Sequence, residues 1–314
     1  MKYALKFFNQ ILLCSEAFPA LAARKSSVGG QAVIEGVMMK ASRSWAVAVR
    51  GKAGDIHILK RYLKPTPYIF KLPLLRGVFV LIQSIALGIK AIDFSASKAY
   101  EEEEQKISPV LSFFTILVAI ILGIGLFIFL PLYITRLVGL SIPMVKQNPL
   151  VFNLFDGTLR VIIFIFYVFI IGLWSDMKRI YEYHGAEHKV IHAYEKGGEL
   201  NPESIHNNYS PQHPRCGTSF LMIVMVISIL IFSLIPHEIG FTGKLLSRLV
   251  LIPLVAGVSY EILKISAKKQ KNPFFRMLSI PGLALQKLTT RQPDREQIEV
   301  AIVSLRSALE DSNV

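Results

Sequence analysis

The chain has 314 residues, of which 52% are hydrophobic and only 18% are charged, and its apolar residues are concentrated in long runs. This composition excludes an ordinary soluble domain and is typical of a membrane protein. The formal net charge of +13 does not indicate nucleic-acid binding, because the basic residues flank apolar runs, where anionic headgroups and membrane topology account for them. The two cysteines, Cys14 and Cys216, lie far apart in unlike contexts and indicate no disulfide framework. Membrane lipids, and not nucleic acid, are therefore the expected partners.

The N-terminal part of the chain is predicted to hold a leader followed by a small β unit. Residues 1–25 carry lysines and an apolar run that polar residues interrupt, which favours an amphipathic or disordered leader. Residues 26–65 change to short β-prone segments, two of which flank the hairpin signal Gly-Lys-Ala-Gly at 51–54. A glycine-rich stretch at 29–39 contains a single carboxylate, Glu35. We predict that the β unit is cytoplasmic and holds Glu35 near a functional surface.

Residues 66–106 are predicted to form an interfacial helix and an acidic linker. The 13 uncharged residues between Arg76 and Lys90 are too few to cross about 30 Å of hydrocarbon comfortably. A helix lying in the membrane interface fits this length better. The acidic run at 101–104 indicates a solvated linker rather than a cluster of ligands.

The membrane domain is predicted over residues 107–265 and contains four apolar stretches of spanning length. The four predicted spans are Ile107–Ile134, Gly157–Ser175, Gly217–Pro236 and Leu245–Ile265. The first of them has 28 residues without a charge and is the clearest. The last is weaker because Arg248, Pro253 and Glu261 interrupt it.

Loop charge predicts the orientation of these spans. The loop 176–216 and the C-terminal region 266–314 are rich in Lys and Arg, whereas the opposite loops hold Arg136, Lys146 and Lys244. By the positive-inside rule, both termini and the loop 176–216 are cytoplasmic. The C-terminal region ends in an acidic first turn followed by an amphipathic period, which predicts a docking helix for a cytoplasmic partner.

A histidine-rich stretch in the cytoplasmic loop indicates a metal site. His184, His188 and His192 recur at four-residue intervals, and on a helix of about 100° per residue they share one face with Glu187 and Glu195. Two histidines at positions i and i+4 suit one divalent ion. The segment from His184 to His188 also matches H-x-x-E-H, the inverted zinc-protease motif, in which Glu187 would accept a proton from water.

A third ligand must come from another part of the chain. His213 and Cys216 directly precede the third predicted span, so they reach the same membrane face, and Glu195 and Glu261 are further candidates. Three protein ligands would leave one position for water, as in a catalytic zinc site. The expected cofactor is therefore a divalent metal ion, with Zn²⁺ preferred, and the expected general base is Glu187.

Other interpretations of these residues remain open. Arg215 and Glu35 are candidates for contacting a substrate, although Arg215 could instead anchor a helix at the interface. The histidine face could be a solvated surface pairing with Lys189, and Cys216 could be a small buried residue at a helix entry. His192 is as well explained as a neighbour of the site as it is as a ligand.

Several separate blocks carry a resemblance to a known family. They are Gly29–Met39, Tyr183–Lys189, His213–Phe220, Gln286–Arg291 and Gln297–Ala301. Together these blocks resemble the YqhQ-like family of bacterial multipass membrane proteins of unknown function, often described as predicted metal-dependent enzymes. The likeness runs from about Val28 to Ile302 and implies a bacterial multipass membrane protein, and no confirmed metal comes with it. It implies no substrate and no reaction.

The sequence therefore predicts a mainly α-helical integral membrane protein with about four transmembrane helices, an interfacial helix and a small cytoplasmic β unit. The favoured function is metal-dependent hydrolysis of a lipid-linked or membrane-associated substrate at the cytoplasmic surface. A metal-binding scaffold or sensor that recruits partners is the first alternative. A transporter is less favoured, because it needs ionisable residues well inside the spans. The first and third predicted spans contain none, and Glu261 sits near the end of the fourth.

Overall fold

The computed structural model describes residues 28–100, 109–213, 216–236, 238–269 and 272–310. These residues form a mainly α-helical integral membrane protein with a small antiparallel sheet near the N-terminus, which confirms the predicted fold class. The leader predicted over 1–25, the acidic run at 101–104 and Arg215 lie outside the described residues.

The elements follow one another in a simple order along the chain. The strands are β1 (Gly29–Val33), β2 (Gly36–Lys40), β3 (Ser44–Arg50) and β4 (Ile56–Tyr62). The helices are α1 (Leu75–Ala99), α2 (Pro109–Ile124), α3 (Leu130–Ser141), α4 (Pro143–Gln147), α5 (Pro149–Ile171), α6 (Ser175–Lys196), α7 (Pro202–Asn208), α8 (Gly217–Phe232), α9 (Phe241–Lys268), α10 (Pro273–Thr289) and α11 (Arg295–Leu309). A 3-10 turn at Tyr68–Lys71 precedes α1, and a π-helical turn at Gly125–Phe129 joins α2 to α3.

The sheet is a meander in which each strand pairs antiparallel with the next. The first hairpin turns at Glu35, whose φ of 50° is a left-handed conformation that few residues other than glycine adopt. The hairpin predicted at 51–54 is confirmed, and its Gly54 has a φ of 89°, which glycine adopts without a steric penalty.

Both faces of the sheet are buried, because alternate side chains point into two different helical layers. One face packs Val37 and Ala48 against α6 and α11. The opposite face packs Trp45 and Val47 against α1. The β unit is thus the central layer of a compact helical assembly.

Helix α11 corresponds to the predicted C-terminal docking helix. Asp294 and Gln297 form a capping box at its start, in which each side chain accepts from the other residue's backbone N–H. At its far end the Ser44 hydroxyl donates to the Ala308 carbonyl oxygen over 2.7 Å. The apolar face of this helix is therefore occupied by the sheet of its own chain.

Four helical segments are long and apolar enough to cross a membrane. They are Leu75–Ala99, Phe113–Ser141, Pro149–Ile171 and Phe241–Ser266. The last three of these segments correspond to predicted spans, although their first and last residues differ from the predicted ones. The remaining predicted span, Gly217–Pro236, contains the 16-residue helix α8, which is short for a bilayer crossing.

Helix α1 occupies the region predicted as an interfacial helix. It is longer than predicted, because helical structure continues beyond Lys90 to Ala99. Its second half packs Leu87 and Ala91 onto the sheet, and near its start Gly77 closely approaches Tyr260 of α9. The length of α1 permits a span, whereas its packing on the sheet favours a position along the membrane surface. The interfacial placement stays a prediction.

A buried ionic network links three helices of the membrane domain. Arg160 of α5 and Arg248 of α9 each donate over 2.7 Å to a different oxygen of Asp156, and Arg160 also donates to Ser228 of α8. All three charged residues are at most 6% exposed. The predicted second span begins at Gly157, whereas α5 begins about two turns earlier. Asp156 therefore lies within the apolar helix rather than before it, whereas Arg160 already lies inside the predicted span.

Candidate metal centre

Helix α6 carries the histidine-rich stretch and packs against β1, β2 and α11. Asp176 in its first turn and Lys196 in its last turn have the charges that the helix dipole favours. The helix ends at Gly197, whose φ of 72° forms a left-handed C-cap. Residues 185–193 are all buried, so this part of the helix is a core element rather than a solvated loop.

Three of the predicted ligands meet at one point. His184 and His188 on successive turns of α6 approach Cys216, the N-cap residue of α8. One potential ligand atom from each residue lies within 4.8 Å of the other two, and His184 Nε2 is 3.2 Å from Cys216 Sγ. We refer to His184, His188 and Cys216 as the His–Cys trio.

Backbone carbonyls hold both imidazoles of the trio in place. His184 Nδ1 is 2.8 Å from the Thr289 carbonyl oxygen, and His188 Nδ1 is 2.6 Å from the Pro211 carbonyl oxygen. A carbonyl only accepts, so each Nδ1 donates its proton, and Nε2 is the ring nitrogen that remains to bind a metal ion. This arrangement orients metal-binding histidines in many proteins.

The residues of the trio fit a transition-metal ion. His188 Nε2 is buried and has no hydrogen-bond partner among the described residues, although a buried polar atom normally has one. Burial lowers the pKa of His188 to about 4, which keeps the imidazole neutral as a ligand must be. Two imidazoles and one sulfur form a donor set that suits Zn²⁺.

The Cys216 thiol is held in a setting that favours the thiolate. Burial on its own would raise the pKa of this thiol, but the net shift is downward, and the Thr218 donors are among the groups that stabilise the charged sulfur. The Thr218 backbone N–H and hydroxyl lie 3.4 and 3.3 Å from Sγ at the first turn of α8. A thiolate at a helix N-terminus is the form of cysteine that binds metals.

Glu187 lies in the core beside the trio and is only 5% exposed. Its carboxylate accepts the Gly30 backbone N–H, and a Cβ at position 30 would lie 2.9 Å from the carboxyl carbon of Glu187. Glycine at position 30 therefore leaves the space that this carboxylate fills. Burial raises the pKa of Glu187 to about 8, so the group can exchange a proton near neutral pH.

A second polar cluster lies next to the trio. His213 Nε2 is 3.2 Å from Glu195 Oε2, and the His213 ring centroid is 4.5 Å from that of His192 and 5.8 Å from that of His188. His192 Nδ1 is 3.1 Å from the Ser210 carbonyl oxygen, and burial lowers the pKa of His192 to about 3. His213 and Glu195 are thus paired with each other beside the trio rather than within it.

Two other candidate residues have partners elsewhere in the fold. Glu261 accepts from Arg76 at the start of α1, so it lies in a separate ion pair on α9. The Glu35 carboxylate accepts two bonds from Arg179 and one from the Tyr183 hydroxyl at 3.2 Å. Glu35 therefore ties the first hairpin to α6 just before His184.

The residue types at individual positions did not predict which residues support the trio. Thr289 and Pro211 act through their backbone carbonyls, and a carbonyl leaves no trace in residue type. Gly30 and Thr289 both lie in blocks that carry the family resemblance, which is the signal that could have pointed to them.

Gly185, the neighbour of His184, is expected to tolerate no side chain. A Cβ there would lie 2.0 Å from the Arg291 carbonyl oxygen, a backbone atom that cannot move aside cheaply. Gly185→Ala should therefore lower the free energy of unfolding by about 1–3 kcal/mol, as measured by denaturant titration in detergent. Gly123→Ala in α2, where nothing lies within 4 Å of the added carbon, is the matched control and should cause no loss. Equal stability of the two variants would contradict the close approach.

Taken together, the fold and the trio define a helical membrane protein with a largely buried cluster of two histidines and one cysteine, which lies next to a β-sheet covered on both faces by helices. The family described as "Protein of unknown function (DUF1385)" matches residues 72–311, and the chain belongs to this family. A relative named "Uncharacterized protein YqhQ" from Bacillus subtilis (strain 168) is 32% identical over 297 residues, which cover 90% of this chain and 92% of the relative. The resemblance noted from the sequence is thus confirmed as membership in a family of unknown function, and no solved structure matches the chain.

Proposed function

We propose that this protein is a metal-dependent hydrolase that acts at the cytoplasmic surface of the bacterial inner membrane. The observation that carries the proposal is the convergence of His184, His188 and Cys216, with both imidazoles oriented by backbone carbonyls. An ordinary buried core would satisfy His188 Nε2 with a hydrogen bond, whereas a metal ion uses that lone pair directly.

The residues of the site would have distinct roles in this reaction. The trio would hold the ion, with Zn²⁺ preferred, and three protein ligands would leave one coordination position for water or substrate. When bound, the ion supplies Lewis acidity that polarises a water molecule or a substrate oxygen. Glu187, on the turn between the two histidines, accepts the proton, and the Gly30 N–H fixes its carboxylate.

The substrate is proposed to approach from the membrane surface. His184 is the only half-buried member of the trio, so its edge is the accessible side, while His188 and Cys216 are buried. Cys216 begins α8 directly after the cytoplasmic loop, which brings the trio close to the lipid boundary. A lipid-linked or membrane-associated substrate fits this position, with Arg215 as a candidate for binding its polar part, whereas Glu35 is held by Arg179 and Tyr183.

Metal content tests the first step of the proposal. The purified full chain should retain about one zinc ion per molecule by inductively coupled plasma mass spectrometry. His184→Ala, His188→Ala and Cys216→Ser should each retain about tenfold less or lower still. His57→Ala, which removes a partly exposed histidine paired with Asp55, is the matched control and should retain the wild-type amount. The same low metal content in all five proteins would refute the site.

A metal-stabilised scaffold is the second candidate, and one observation favours it. His188 is 1% exposed and Cys216 is 9% exposed, and this depth of burial is also typical of a structural metal site. In this case the ion would tie α6 to α8, and a cytoplasmic partner would bind elsewhere on the surface.

A further inference from the structure

A second candidate site lies at the opposite ends of the membrane helices from the His–Cys trio. It is a cavity of about 360 Å³ between the end of α3, the short helix α4, the start of α5 and the start of α9. Three basic side chains line it, namely Arg136, Lys146 and Lys244. Among the described residues no acidic side chain lines this cavity.

The fold brings together charges that are far apart in the chain. Arg136 and Lys146 flank one connection between spans, and Lys244 follows another about a hundred residues later. Each end of the cavity has a cation held against an aromatic ring, with Lys244 Nζ 4.3 Å from the Phe152 centroid and the Arg136 guanidinium carbon 5.4 Å from the Phe241 centroid. Such contacts hold the two cations against aromatic rings that themselves line the cavity.

The rest of the lining is apolar and belongs to the membrane domain. Leu132 and Phe152 are buried members of the local core, and Leu140 is 71% exposed at the end of a candidate span. A cavity that combines clustered cations with an apolar wall at a helix end suits an amphiphile with an anionic head. A fully hydrated small anion would gain nothing from the apolar part.

The position of the cavity separates it from the proposed hydrolase site. It lies at the N-terminal end of α5, whereas the trio lies beyond the C-terminal end of that helix. A helix of 23 residues is roughly 35 Å long, so the two sites face opposite membrane boundaries. The first turn of α9 adds its partial positive charge at the cavity, where Gly240 provides no side-chain cap. Glu238, which precedes this turn, interacts with Lys244 but does not line the cavity.

We propose that this cavity binds the phosphate of an anionic phospholipid in the leaflet opposite the His–Cys trio. The three cations contact the phosphate, and the apolar wall contacts the first part of the acyl chains. This site goes beyond the proposed hydrolase activity and does not depend on it.

Lipid binding to the full chain tests this inference. Native mass spectrometry of the detergent-purified protein would be recorded with phosphatidylglycerol, with phosphatidylcholine and with inorganic phosphate. The wild type should bind phosphatidylglycerol more tightly than phosphatidylcholine. The triple variant Arg136→Gln/Lys146→Gln/Lys244→Gln should weaken phosphatidylglycerol binding by about a hundredfold, since each cation contributes comparably.

The controls separate this site from general charge effects and from folding. The matched variant Lys90→Gln/Lys178→Gln/Lys268→Gln removes three exposed cations outside the cavity and should leave the affinity unchanged. If the cavity triple variant does not fold, Lys146→Gln alone should still weaken binding by about fivefold. Equal binding of the two lipids, equal losses in both triple variants, or saturation by inorganic phosphate at the same concentration as the lipid would each overturn the assignment.

Discussion

Replacing Asp156 with alanine is expected to lower the free energy of unfolding by about 3–5 kcal/mol. The carboxylate accepts from Arg160 and Arg248 through different oxygens, and all three side chains are buried between α5 and α9. Without it, two arginines that cannot readily give up their charge would remain buried side by side. The measurement is a denaturant titration of the purified protein in detergent, followed by circular dichroism.

Two further variants make this expectation specific. Asp93→Ala removes an exposed carboxylate from α1 and should change stability by no more than about 0.5 kcal/mol. The triple variant Asp156→Leu/Arg160→Met/Arg248→Met removes every charge of the network and should be more stable than Asp156→Ala. A triple variant that is less stable than the single variant would show that the uncompensated charges are not the cause.

Replacing Glu187 with glutamine is expected to abolish hydrolysis while the metal is retained. Glutamine keeps the volume of the side chain and an oxygen to accept the Gly30 N–H, but it cannot take up a proton. Loss of a general base lowers rates by about 10²–10⁴-fold. The measurement compares zinc content and rates with ester, amide and phosphodiester probes presented in mixed micelles.

The comparison with Glu195→Gln provides the control. Glu195 is a carboxylate on the same helix that pairs with His213 rather than with Gly30, so its loss should lower the rate far less. A Glu187→Gln protein that binds zinc and hydrolyses probes at the wild-type rate would rule out the base. Zinc-loaded wild type that hydrolyses no probe faster than the metal-free protein would favour the scaffold.

Local patterns in the sequence predicted much of the fold. The four-residue histidine spacing predicts the face of α6, and the glycine-flanked β-prone runs predict the hairpin of β3 and β4. Apolar runs identify the membrane helices. The ends of the helices differ from the predicted ends, because helical structure continues where charges are buried. These features could be predicted because each of them depends on the arrangement of residues that are close together in the sequence.

Contacts between elements that are far apart in the sequence could not be predicted from local patterns. Asp156 and Arg248 are 92 positions apart, and Gly30 and Glu187 are further apart still, so no spacing rule connects them. The pairing of Arg248 with Asp156 was missed for this reason, since Arg248 without a known partner only weakened a predicted span. Cys216 was a candidate because it precedes a span, but only the fold could separate it from Glu261.

The hydrogen bond between Ser44 and Ala308 has a consequence for how the protein is made. The two residues are 264 positions apart, and the strands near the N-terminus leave the ribosome long before α11 does. Val37 and Ala48 therefore lack the part of their helical cover that α11 supplies until every membrane helix has been synthesised. The Thr289 carbonyl that holds His184 also arrives late, so the histidines can adopt their final orientation only near the end of translation. The layer formed by the sheet, α6 and α11 can thus be completed only after all the membrane helices have been synthesised.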